Sequence, residues 1–177
     1  MKTSIYAMIA ELYIPSLQSL SGLLDKGAAY AQATNLDLNV LVESKLAPDM
    51  FPLNRQVQQV CFHAVDAVAH LTGGEPAKRT SDASSFDDMK TLLAHTIAGL
   101  SALNAAAFEG TEDRKIEIPL MGPMVFESDG FQFLCHWSLP NFYFHLVTAY
   151  DILRHLGVEI GKRDFMPHAM AFVVQRG

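Results

Sequence analysis

The stretch LPNFYFHLVTAYDILRHLG, Leu139 to Gly157, decides how this chain is read. Its apolar residues recur at three- and four-residue spacing, the period of a helix that buries one face. At about 100° per residue, Phe142, Ala149, Leu153 and Leu156 share one broad face. Asn141, His145 and Thr148 form a polar line along its side. The aromatic rings of Phe142, Tyr143, Phe144 and Tyr150 point around the helix, so they cannot all meet a single core. At least one must face the rest of the chain elsewhere or a second subunit.

Working outward, three more long helices are predicted. Ser4 to Ala33 repeats Tyr6, Ile9, Tyr13, Leu17, Leu20 and Leu24 at helical spacing, with a kink expected at Pro15. A short helix is expected around Val40 to Ser44. Pro52 to Leu71 carries an apolar face of Val57, Val60, Cys61, Ala64, Val65 and Val68, and the glycines of TGGEP end it. Ala83 to Ala106 follows, with Asp82, Ser84 and Ser85 as caps and Asp87 and Asp88 suited to a positive helix end. The period then changes. Lys115 to Ile118 and Met124 to Phe126 alternate around Met121-Gly122-Pro123, which predicts a two-stranded hairpin. Phe131 to Trp137 reads either as helix or as an extended link, with the last long helix opening near Ser138. Lys162 to Phe165 is expected to lie back on the body, and the last residues to be loose. The fold class is therefore all-α, a four-helix bundle with a small hairpin between the third and fourth long helices. Residues 1–166 form one domain and 167–177 a tail.

Composition narrows the functions. Of 177 residues, 50% are apolar and 18% charged, a globular balance. The net charge of −6 with no basic block argues against nucleic acid. No window is long and apolar enough for a membrane span, and the N-terminus lacks the apolar core of a signal peptide. Cys61 and Cys135 are the only cysteines, which fits a reducing cytoplasm. Both read as small buried hydrophobes, and Cys135 is poorly placed to pair with His136. No nucleophile-elbow, dinucleotide, P-loop or HExxH pattern occurs.

Two polar constellations remain. On the fourth long helix, Asn141, His145 and Thr148 either line a pocket or are satisfied locally, with Asn141 capping the helix and His145 bonded to a carbonyl or buried water. Asp49 and Arg55, at the start of the second long helix, complete the candidate pocket. On that helix, Gln56, Gln59, His63, Asp66 and His70 fall together opposite the valines, the pattern of a solvated or subunit-facing stripe. That reading turns His63 away from His145, unless the helix packs on two sides. The charged residues Asp49, Arg55, Asp151, Arg154, Lys162, Arg163 and Asp164 read as local pairs and caps. A sharper alternative folds Lys162 or Arg163 over the mouth onto Asp49.

KLAPDMFPLNRQVQ (Lys45 to Gln58), FEGTEDRKIEIPL (Phe108 to Leu120), the opening stretch and IGKRDF (Ile160 to Phe165) together resemble the DinB/YfiT-like superfamily of bacterial helical bundles. More narrowly, they resemble a bacterial branch of it with no established activity. The resemblance covers about residues 1 to 166. It implies a nickel or zinc site built from one histidine on the second long helix and two on the fourth, spaced four apart, and in some members thiol-dependent transfer or isomerisation. Here His145 is present, but Asn141 stands four residues earlier, and an amide is a poor ligand for these metals. His63 is the candidate partner ligand. The expectation is a degenerate metal site with a small pocket near His145, in a protein that binds a small molecule or serves as a non-enzymatic dimeric module. The alternative is a metal-dependent thiol transferase or hydrolase with His145 as a ligand.

Overall fold

In the computed structural model, which describes residues 4–78 and 83–175, the chain is mostly helical with one small antiparallel sheet. α1 (Ile5–Thr34) begins where Ser4 Oγ accepts the Ala7 N–H at 3.1 Å. It passes through Pro15 without ending, and stops at Asn35, whose left-handed backbone (φ 54°) closes the last turn. α2 (Leu38–Glu43) is a short bridge. α3 (Leu53–Thr72) ends at Gly73 (φ 75°), as the TGGEP signal predicts.

α4 (Phe86–Ser101) is shorter at both ends than its periodicity suggests. Ser85 and Asp88 form a reciprocal capping box that fixes the start, and the expected cap Asp82 lies outside the described residues. Downstream, the Asn104 side chain accepts the Ala106 N–H at 3.0 Å and turns the chain into a 3-10 segment. β1 (Ile116–Pro119) pairs antiparallel with β2 (Val125–Ser128), Ile118 opposite Phe126. Lys115 bridges Glu117 and Glu127 at 2.8 and 3.2 Å across this hairpin.

The ambiguous segment after the hairpin is helix. α5 (Gly130–Phe133) opens with Asp129 Oδ1 accepting the Gln132 N–H at 2.7 Å. A π-helical turn over Leu134–Ser138 leads without a break into α6 (Leu139–His155). Pro140 explains that turn: it has no N–H and its ring collides with the carbonyl four residues back, so the ladder slips by one residue. Gly130 must be glycine-sized, because a Cβ there would sit 2.0 Å from the Thr111 carbonyl oxygen. α7 (Lys162–Phe165) does lie back on the body. Asp164 pairs with Lys26 of α1 at 2.6 Å, and Phe165 meets Tyr150 edge-on at 5.6 Å. Beyond it, Pro167–Phe172 forms a 3-10 turn beside α1 rather than a loose end.

α3 makes the most extensive helix contact with α6 and also packs on α4, while α1 packs on α4 and α6. Tyr13 and Phe142 meet edge-to-face at 4.6 Å in the core, surrounded by Leu17, Leu20, Leu24, Val57, Val60 and Leu153. Each such buried leucine or valine contributes about 1.5–3 kcal/mol relative to exposure. No single helix among the described residues is long and apolar enough to cross a membrane.

Candidate functional site

The contact between α3 and α6 holds the polar residues. The two run antiparallel, so rising numbers on α3 meet falling numbers on α6: Gln56 meets His145, His63 meets Ser138, and His70 meets Phe133. The stripe Gln56, Gln59, His63 and Asp66 is therefore buried, not solvated, and His70 is half-buried. α3 packs on two sides, against α4 with one face and α6 with another. Val65, assigned to the apolar face, is 44% exposed instead.

His145 is 8% exposed and sits in a stack of rings. His63 lies parallel to it, within 12°, at 5.5 Å between centroids; Phe51 lies on it at 6.4 Å and 19°. Phe144 touches it edge-on at 5.2 Å, and Phe62 does the same to His63. The structure thus brings His63 and His145 together, against the expectation drawn from the stripe.

The Gln56 amide fixes the His145 tautomer. Its Nε2 donates to the Phe51 carbonyl at 3.0 Å, which orients the amide, because a carbonyl only accepts. Its Oε1 then lies 2.7 Å from His145 Nδ1, so Nδ1 carries a proton and donates. In the neutral ring the lone pair is on Nε2. The expected carbonyl or water partner is a glutamine side chain from α3.

Below this pair, the Tyr13 hydroxyl donates to Ser138 Oγ at 2.6 Å, and Ser138 Oγ donates to the His63 carbonyl at 3.4 Å. Burial pushes the Tyr13 phenol well above its ordinary range, and the Ser138 bond offsets that only in part. At the far end, His70 Nε2 is 3.5 Å from Asp66 Oδ2, and Asp66 Oδ1 accepts the Ala77 N–H at 3.2 Å.

The other predicted residues fall around this row. Asn141 does not cap a helix start, since helical backbone already runs through it. Its Nδ2 donates to the Trp137 carbonyl at 2.7 Å, beside the π-helical turn. Thr148 Oγ1 donates to the Phe144 carbonyl at 2.7 Å. Arg55 donates to Gln58 Oε1 at 2.9 Å and stands 5.5 Å over the Phe51 ring. Asp49 is exposed; among the described residues no ion pair joins it to Lys162 or Arg163, and Asp164 takes Lys26 instead. Cys61 is buried, its thiol pushed up to about 12 by burial; Cys135 is only half-buried, and burial raises its thiol too.

The metal implied by the resemblance needs three protein ligands around one point. Among the described residues, no three His, Cys, Asp or Glu side chains converge in that way. His145 Nδ1 donates to Gln56, which leaves Nε2 as its one ligand atom, and the Asn141 amide is committed to Trp137. Asp66 is turned to His70 and the Ala77 N–H. The residues present do not fit a three-ligand nickel or zinc centre.

Gln56, Ser138 and Tyr13 were not anticipated as part of this site. One signal was available: α3 has no Lys or Glu, and only Arg55 and Asp66 as charges. A solvated helix face rarely does without them.

The class these features define is a helical protein with a buried histidine pair in its most extensive helix contact. Residues 5–166 match the family described as Domain of unknown function (DUF1993), and the chain belongs to that family. It is similar in structure to a DinB family member protein from Shewanella denitrificans, known from a crystal structure. That likeness has 33% sequence identity and a TM-score of 0.84, and covers 92% of this chain and 91% of that one. No curated protein matches the chain. The resemblance read from the sequence holds.

Proposed function

We propose that the chain is a DinB-like four-helix bundle whose metal centre has degenerated, acting in the cytoplasm as a homodimeric, non-enzymatic module that binds a small molecule near His145. The observation that carries this reading is Asn141, whose side-chain amide stands where a second ligand histidine is expected and donates to the Trp137 carbonyl. In this reading the binding mouth is framed by Phe51 and Phe144, both exposed and both in ring contact with His145. Asn141, Arg55 and Asp49 supply its polar rim, with Thr148 buried beneath. The test is elemental analysis of untagged protein, with His145→Ala beside it. The expected result is no stoichiometric transition metal in either. One equivalent of nickel or zinc, lost in His145→Ala, would overturn the proposal in favour of a metal-dependent thiol transferase or hydrolase.

A further inference from the structure

Three buried glutamines, Gln56, Gln58 and Gln59, lie near the start of α3. Both ends of the Gln56 amide are engaged, as described. Gln58 is engaged at both ends too, accepting from Arg55 and donating to the Ala83 carbonyl at 3.1 Å. Gln59 differs. It is 4% exposed, yet among the described residues its amide has no hydrogen-bond partner. Among the described residues only Ser128 Oγ is a fully buried side-chain polar atom without a partner, so the small exposed part of Gln59 includes its amide, open to water or to another polar group.

Gln59 lines a cleft of about 180 Å³ between α3 and α4, on a different side of α3 from His145. Phe62, Val65 and Leu92 form apolar walls, and Lys78 stands at the edge with its ammonium group. Cys61 and Thr96 line it as well. The Cys61 thiol stays protonated, so it places no negative charge there. Apolar cavities of about 150 Å³ take up a single aromatic ring.

We propose that this cleft is a second binding site, for a small carboxylate with an apolar body of about one ring. The body fills the space between Phe62, Val65 and Leu92. The carboxylate accepts from the Gln59 amide and the Lys78 ammonium, the charge-assisted geometry that a lysine at the rim of an apolar slot favours.

Benzoate is the probe, with benzamide as its uncharged counterpart, followed by amide and methyl NMR shifts on the intact chain. The expected result is saturable benzoate binding in the millimolar range, with shifts at Phe62, Val65 and Leu92. Gln59→Leu should weaken it about tenfold or more, the loss of a bond to a charged group. Lys78→Gln is exposed and leaves the core untouched. It should weaken benzoate while sparing benzamide, a result that stands even where Gln59→Leu folds poorly. Three outcomes would overturn the proposal: no saturable shift, shifts that map away from the cleft, or benzoate binding unchanged by Lys78→Gln.

Discussion

A neutral imidazole beside a primary amide has two ways to hydrogen bond, and the Phe51 carbonyl selects one of them at His145. This makes Gln56 a bridge between two groups, the Phe51 carbonyl and the buried His145 ring. Removing either end leaves a buried donor or acceptor unsatisfied, which costs about 1–3 kcal/mol. Gln56→Leu is therefore expected to destabilise the fold by about that amount. His145→Ala should cost at least as much, since the ring contacts with His63 and Phe51 each contribute about 0.5–1.5 kcal/mol more. The double variant should cost less than the sum, by about 0.5–3 kcal/mol, because the shared bond is lost only once. Urea denaturation of the four proteins measures this, and strictly additive losses would refute the coupling. His145 was legible in the sequence as the odd polar residue on a core helix. Its partner was not, because a buried amide stripe and a wet one have the same period. Only the missing lysines and glutamates of α3 separate them.

Elements were legible wherever apolar spacing persisted over many residues, as in α1, α3 and α6, and wherever alternation was clean, as in the hairpin. The segment left open was Phe131 to Trp137, just ahead of the last long helix. Asp129 and Gln132 spell a capping box three residues apart, but Asp129-Gly130 also reads as a turn, and Pro140 reads as a helix start. The π-helical turn reconciles them by letting helix pass through a proline. At the other end, α7 is held to α1 largely through Asp164. Lys26, and then the Gly161 N–H, hold the Asp164 carboxyl below the usual carboxylate range. Its contribution is therefore fully present above the unfolded value, about pH 4, and fades as the pH falls through the lowered folded value. Acidification below about pH 4 should release α7 while the core persists, seen as loss of the Phe165–Tyr150 contact in NMR spectra. Asp164→Asn should show the released state already at neutral pH. An Asp164→Asn protein in which that contact is intact at neutral pH would contradict this account.

For the molecule as a whole, the aromatic surplus of α6 has a definite remainder. Phe142 is in the core, Tyr143 and Tyr150 are half-buried, and Phe144 is 60% exposed beside the exposed Val147. An outward apolar ring next to a valine suits a self-complementary contact about a twofold axis. Sedimentation at micromolar concentration should find a dimer, and Phe144→Glu should give a monomer of unchanged helicity. A monomeric parent chain would end the dimer proposal. One shared wall has a further consequence. Phe62 lines the α3–α4 cleft with part of its surface and meets His63 edge-on with its ring. A molecule that turns this ring from one side changes what the histidine pair feels on the other. Whatever factor one site then imposes on the affinity of the second, the second must impose on the first, because the two share a single thermodynamic cycle.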